Sequence, residues 1–341
     1  MPAWQEPVHL ICEQIPTDLP REDVLRSFRG DEDLVVLAGE WAGGGALVAS
    51  DPQHRASARD DPFLTMTTMP KVIGQVPGAI GGGWFGYLGY QLGGNIEQLP
   101  DPPPRPTALP AFGLSYYDSL LRYDGTNDQW WFEALWSQDR APVLERRLAT
   151  IRTRLFGDPE PPRRYTCTQF LACPDAARHR EAVERCIEYI WAGDIYQANI
   201  CMRLEADFTG DPFELYLSGL LRLDPARSAY ISGPWGAVAS FSPELFLHRV
   251  GRQVRSAPIK GTGRRSSRPQ DDEKQRAALE ASEKDRAENV MIVDLMRNDL
   301  GRVCAAGSVS VPSLISAEDH PGLWHLVSVV TGQLHDGSDD T

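Results

Sequence analysis

No apolar run in the 341 residues approaches the roughly 20 that a membrane-spanning helix needs. Basic residues are scarce, with 34 Lys and Arg against 47 Asp and Glu and a net charge of -13. That balance disfavours nucleic acid, whose phosphates would be repelled, and an anionic membrane surface. It leaves a small anionic substrate open, because a local cationic pocket or a bound metal overrides the average field. Cysteine is sparse too: Cys12, Cys167, Cys173, Cys186, Cys201 and Cys304, with no CxxC pair. Reduced thiols buried in apolar segments are expected, not disulfides or zinc. The opening MPAWQEPVHL lacks a basic stretch followed by an apolar one, so no secretory leader is read and a cytoplasmic chain is the expectation. What remains is an ordinary globular composition, 42% hydrophobic and 24% charged, long enough to bury a sizeable core.

Two proline-rich stretches punctuate the chain, LPDPPPRPTALP (99–110) and GDPEPP (157–162), and both read as exposed connections. The second divides an N-terminal part, 1–160, from a C-terminal part, 161–341. In the first, DLVVLAG (33–39) and GALVASD (45–51) are β-favouring runs around a glycine-rich turn. GGGWFGYLGY (81–90) lacks the Lys-Ser/Thr of a phosphate loop and reads as backbone packed closely against aromatics in a sheet. The second part opens with an apolar stripe of Val183, Cys186, Ile187, Ile190 and Trp191 on a helix capped near Asp175 and ended by Gly193. YQANICMRLEADF (196–208) reads as a strand, 229–250 as two or three strands, and Glu273 to Arg297 as one long helix. Strands and helices do not alternate regularly, which favours α+β.

Four segments carry possible chemistry: GDIYQAN (193–199), SPELF (242–246), APIKGTGRR (257–265) and KDRAENVMIVDLMRNDLGR (284–302), with WHLVS (324–328) following. Each has a bland reading. Lys260 can be an exposed turn lysine, Glu244 a strand-end carboxylate in solvent, and His325 a packed surface ring beside Trp324. Asp285 and Glu288 fall at i, i+3 on one helix face, where a carboxylate pair suits a hard cation but also suits a solvated surface. Arg297, Asn298 and Asp299 read as hydrogen-bonding the end of the long helix.

Taken in this order, the segments resemble the chorismate-utilising enzymes, a family that includes anthranilate, aminodeoxychorismate, isochorismate and salicylate synthases. The match is densest from Asp175 to Leu334, and GGWFGYLGY adds to it. Lys260 in PIKGT, where anthranilate synthases typically carry alanine, points to the aminodeoxychorismate synthase branch, component I. Gln197, where isochorismate and salicylate synthases carry lysine, points the same way. The resemblance implies two large antiparallel sheets packed as a sandwich with flanking helices. It implies amination of chorismate at C4 to 4-amino-4-deoxychorismate, for 4-aminobenzoate and folate formation. Lys260 would attack the ring as nucleophile and Glu244 would act as general acid in a dry pocket. Because a lysine at its ordinary pKa is neutral in only about one molecule in 2,500 at pH 7, the site must desolvate or deprotonate it. By the same resemblance Thr262 and His325 contact chorismate, Glu288 holds Mg2+, and Asp285 stands where relatives often have glutamate. Gly263 departs from the arginine that usually follows PIKGT, and Arg264 or Arg265 would substitute. Ammonia would come from a separate glutamine amidotransferase subunit, since no cysteine here sits in a glutaminase-like glycine elbow.

Anthranilate synthase is the runner-up, and a non-catalytic family member is the other class of reading. Relatives continue beyond the position of Leu334 with further carboxylate and arginine contacts, whereas this sequence runs to HDGSDDT. The expectation is a fragment or truncated product, catalytically poor, with unpaired strand edges and exposed apolar faces.

Overall fold

The computed structural model describes residues 6–41, 44–102 and 105–337. Part of the proline run 99–110 and of the HDGSDDT segment lies outside them; the described part of the first is exposed except for half-buried Leu109 and Pro110. The chain divides into two compact units, Met1–Glu160 with Tyr216–Thr341, and Pro161–Leu215. Residues 161–341 are therefore shared between the two units and do not form one body. The reason is strand pairing: Arg227–Gly233 lies antiparallel against Val35–Gly39, so residues far along the chain complete the sheet begun near its start.

That sheet has eight strands: β1 (Val8–Ile15), β2 (Val35–Gly39), β3 (Gly45–Ala49), β4 (Val72–Ile73), β5 (Ser119–Asp124), β6 (Gln129–Trp136), β7 (Arg227–Gly233) and β8 (Gly236–Ser242). Their spatial order is β8-β7-β2-β3-β5-β6-β1-β4. All neighbours are antiparallel except β1 and β4, which pair parallel. The two β-favouring runs predicted at 33–51 are β2 and β3. Gly39 is required where β2 passes β7, because a Cβ there would strike the backbone of Ala226. GGGWFGYLGY supplies the strand Gly83–Leu88, which pairs with Phe112–Tyr117 in a small sheet. Gly86 lets the backbone of Gly113 approach and Trp84 meets Tyr116 edge-on, which is the packing read from the sequence.

A second large sheet contains β9 (Leu245–Val250), β10 (Gln253–Ala257), β11 (Ile259–Arg264), β12 (Ser310–His320) and β13 (Leu323–Gln333). Strand β13 is its hub: β10 and β11 pair with successive parts of one edge, and β12 with the other. Helices Pro269–Glu280 and Glu283–Val303 pack on this sheet. The expected single helix from Glu273 is therefore two, separated at Ser282, whose hydroxyl caps the second by accepting the N–H of Asp285. Arg297, Asn298 and Asp299 lie inside that helix and not at its end; Arg297 reaches back to Asp294. Apolar residues Val254, Val293, Leu300 and Val330 form the core between helix and sheet. The α+β architecture with two large antiparallel sheets and flanking helices matches the expectation.

The second unit holds the helix Ala176–Ala192 and two short two-stranded ladders. Asp175 caps the helix by accepting the N–H groups of Ala177 and Arg178, and Gly193 ends it at φ +82°. The strand expected over 196–208 is replaced by Arg203–Glu205 and the start of a second strand, Phe208–Gly210, because 196–202 pair with no strand. All six cysteines are free; Cys186 and Cys304 are buried, but Cys167, Cys173 and Cys201 are exposed, against the expectation of buried thiols. Cys167 and Cys173 end short exposed strands, Tyr165–Cys167 and Leu171–Cys173, and Cys201 precedes another. No helix among the described residues is long and apolar enough to cross a membrane.

Inside the first unit Glu133 is fully buried on β6. Arg122 donates to it at 2.6 Å, and the N–H groups of Ile80 and Gly81 at 2.6 and 3.0 Å. This charge pins the glycine-rich segment to the sheet. Removing it would strand the Arg122 guanidinium, so Glu133→Ala is expected to lower stability by about 3–5 kcal/mol in urea unfolding. Loss of less than 1 kcal/mol would show that the pair is dispensable.

Candidate active site

Five of the six predicted site residues lie on β11, β13 and the long helix, labelled α1 here (Glu283–Val303), and the sixth sits just before β9. Lys260 is on strand β11 and half-buried, so it is not a turn residue. Glu244 lies between β8 and β9, where the chain leaves one sheet for the other. The β9–β10 hairpin brings Leu245 opposite Ala257, and Glu244 Oε1 then accepts the backbone N–H of Ile259 at 3.1 Å. The acid is thus fixed beside the residue that precedes Lys260. Glu244 is exposed, however, and the dry pocket expected around it is not formed by the described residues. Ser242 Oγ accepts the N–H of Glu244 at 3.1 Å and helps hold its backbone.

Thr262 and His325 are paired across β11 and β13, and Thr262 Oγ1 lies 3.0 Å from His325 Nδ1. Thr262 is exposed, while His325 is buried, which sets aside the surface-ring reading. Burial, above all, and the neighbouring His320 hold His325 below the ordinary histidine pKa; a bond to the Gly261 carbonyl and the Glu244 carboxylate pull the other way. Gly261, at φ +94°, passes so close to α1 that a Cβ there would press on the Asp285 side chain.

Asp285 and Glu288 share the α1 face near this strand. Glu288 Oε1 lies 3.4 Å from Lys284 Nζ, an exposed i, i+4 pair of little energetic weight. Carboxylate oxygens suit a hard cation, and magnesium is satisfied by one or two of them plus water and substrate oxygens. The donor chemistry of Glu288 and Asp285 fits that ion; among the described residues no group of three or more acid, histidine or cysteine side chains is poised to hold a metal.

Arg265 does not take the place of the arginine missing at Gly263. It is bound to Asp272 at 2.8 Å and to Asp319, and stacks over Trp324 at 4.2 Å. Arg264 is exposed. Gly263 faces Leu279 and Trp324, so the strand runs beside the helix Pro269–Glu280 that follows it. Gln197 lies in the second unit, exposed and outside any strand.

Sequence reasoning missed the buried contact beneath the site. Asn289, next to Glu288, donates through Nδ2 to the carbonyls of Leu326 at 3.1 Å and Lys260 at 3.4 Å. Its Oδ1 accepts from Ser328 Oγ at 2.6 Å, and Ser328 Oγ accepts the N–H of Ile315 at 2.8 Å. Asn289 and Ser328 are fully buried. Ile315 has φ +55°, a strained conformation for a β-branched residue, at an irregularity in β12. The signal available was a polar residue on the apolar side of α1 and a serine within an apolar strand. The cavity between the helix Ala141–Leu155 and the first sheet, about 450 Å3, includes none of these residues. Of its arginines, Arg154 is committed to Asp31, Arg147 to the Ser50 and Asp51 carbonyls and Arg140 to Asp118.

Residues 41–341 match the model of the chorismate binding enzymes, and the chain belongs to that family. It is 34% identical over 299 residues to aminodeoxychorismate synthase component 1 of Escherichia coli strain K12, covering 85% of this chain and 64% of that protein. With aminodeoxychorismate synthase component 1 of Salmonella typhimurium it is 38% identical, covering 75% of this chain and 54% of the relative. The chain therefore spans between half and two thirds of the length of these two relatives. The solved structure of anthranilate synthase component I from Streptococcus pneumoniae TIGR4 has the same fold, with TM-score 0.67 at 20% identity, over 96% of this chain and 70% of that one.

The buried contact yields a direct test. Asn289→Leu and Ser328→Ala are each expected to cost about 1–3 kcal/mol. Because the two side chains share one hydrogen bond, the double variant should cost less than the sum of the single ones. Strict additivity in urea unfolding would show that they do not act together.

Proposed function

We propose that this chain is the chorismate-binding component of an aminodeoxychorismate synthase, aminating chorismate at C4 with ammonia. The observation that carries the reading is the placement of Glu244 against Ile259, beside Lys260 on the same strand. Two relatives bear the name aminodeoxychorismate synthase component 1, and the resemblance of PIKGT to that branch, with Lys260 where anthranilate synthases typically carry alanine, supports the same reading.

Lys260 Nζ, neutral, forms a bond to C2 of the ring while the C4–O bond breaks. Glu244 gives its proton to the departing oxygen, which leaves as water. The attacking nitrogen keeps both its hydrogens as a secondary ammonium, so that it can leave as the neutral amine. Ammonia then bonds to C4, the C2–N bond breaks, and the electron pair returns to Lys260; Glu244 takes up the proton that ammonia loses. The net change is chorismate plus ammonia to aminodeoxychorismate plus water. Thr262 and His325 hold the ligand through hydroxyl and imidazole. Glu288, with Asp285, would hold magnesium, which when bound neutralises and orients the ring carboxylate. A component 1 implies a companion, and a glutamine amidotransferase supplying ammonia is the partner proposed. The cytoplasm is the compartment proposed.

The test is incubation of the purified chain with chorismate, ammonium salt and Mg2+, followed by product identification. Aminodeoxychorismate is expected; anthranilate with release of pyruvate would establish the other branch. Lys260→Ala should slow product formation at least about 100-fold, about 2.7 kcal/mol in the barrier, and abolish covalent trapping of substrate. A parental rate in that variant would remove the lysine from the mechanism. Glu288→Gln should weaken magnesium binding about tenfold or more in calorimetry, together with activity. Unchanged magnesium affinity would take Glu288 off the ligand list.

A further inference from the structure

His320 ends β12, and its imidazole packs edge-on against His325, with ring centroids 4.9 Å apart and planes inclined at 71°. Its Nε2 is shielded from solvent and meets no hydrogen-bond partner among the described residues. His325 is itself buried, sits opposite Thr262 on β11 and Glu318 on β12, and is tied to the Thr262 hydroxyl. Two imidazolium rings this close in a partly dry space repel one another, so a proton on either opposes a proton on the other.

We propose that His320 is a positioning residue for His325: near neutral pH the edge-on pair carries at most one positive charge, and this fixes how His325 presents its ring nitrogens to Thr262 and to the ligand. A neutral imidazole offers one N–H and one lone pair, whereas an imidazolium offers two donors and forces Thr262 to accept. The downward direction of the His325 pKa, with His320 second to burial among its causes, agrees. The other charged groups on the elements packed around the pair are Glu244, Lys260 and Arg264, Glu318 on β12, and Asp285 on α1. At the Trp324 end stand Arg265, Asp272 and Asp319, bound to one another, and Arg276, whose guanidinium lies over the Trp324 ring. The functional meaning rests on the reading of His325 as a ligand contact; the coupling of the two rings does not.

The experiment is a pH titration of the histidine Cε1–H resonances of the 341-residue chain by NMR, with His320→Phe preserving the edge-on packing. The parent should show two separate steps for the pair. In His320→Phe the His325 midpoint should move up by at least about half a pH unit, because the opposing charge is gone. His320→Gln gives the same readout if the Phe variant does not fold. A His325 midpoint unchanged in a folded variant, or a single common midpoint for both rings in the parent, would overturn the proposal. Chorismate added to the same samples tests the ligand reading separately. An unmoved His325 resonance would remove that contact, while a two-step titration would still support the pair.

Discussion

The hydrogen bond between Ser328 and Asn289 is the constraint on which the site depends. Strand β13 must place His325 opposite Thr262, and α1 must lie across β11 with its carboxylates toward the same strand. One asparagine meets both needs, because its amide donates to carbonyls on β13 and β11 while its oxygen receives the serine. A polar group this deep is tolerated only when every donor and acceptor is matched. Matching is satisfied at one helix position and one strand register, so the contact selects them where apolar packing alone would permit slippage. The strained Ile315 backbone is held in the same chain of bonds.

A second brace works at the other end of β11. Arg265 joins Asp272 and Asp319 and covers Trp324, fastening the first helix, β11 and β12 around the residue before His325. The hydrogen bonds from Arg265, before all else, hold the Asp272 carboxyl below the usual range, and the Ser266 N–H and the indole N–H of Trp324 add to this. An arginine so engaged is structural. At Gly263 a Cβ would meet Leu279 and Trp324 only at ordinary contact distance, so packing does not demand glycine there.

Exposure distinguishes the members of the site. His325 is enclosed and Lys260 half-enclosed, whereas Glu244 and Thr262 face outward. The outer side of α1 also carries exposed Val290 and Met291, which line an open apolar groove with Leu314 of β12. The enclosed part of the site is thus built by β13 and its neighbours, and the acid is held by its backbone and a single accepted N–H bond.

Much was legible in local sequence. Asp175 and Gly193 marked both ends of a helix because capping and left-handed termination depend on one residue each. The runs at 33–51 gave two strands through β-favouring residues on either side of a glycine-rich turn. Lys260, Glu244, Glu288 and His325 were singled out by the resemblance of their ordered segments to the chorismate-utilising enzymes; type and spacing alone left each a bland reading. Three things required the tertiary structure. The split at Ser282 turns on whether a serine hydroxyl caps a new helix or leaves an old one unbroken, which local propensity does not decide. The pairing of β7 with β2 joins residues nearly 190 apart, and no local pattern encodes a partner so distant. The Asn289–Ser328 contact and the His320–His325 pair exist only because β13 lies between β11 and β12. A side chain's partners across a sheet are set by register, and register is a property of the assembled strands.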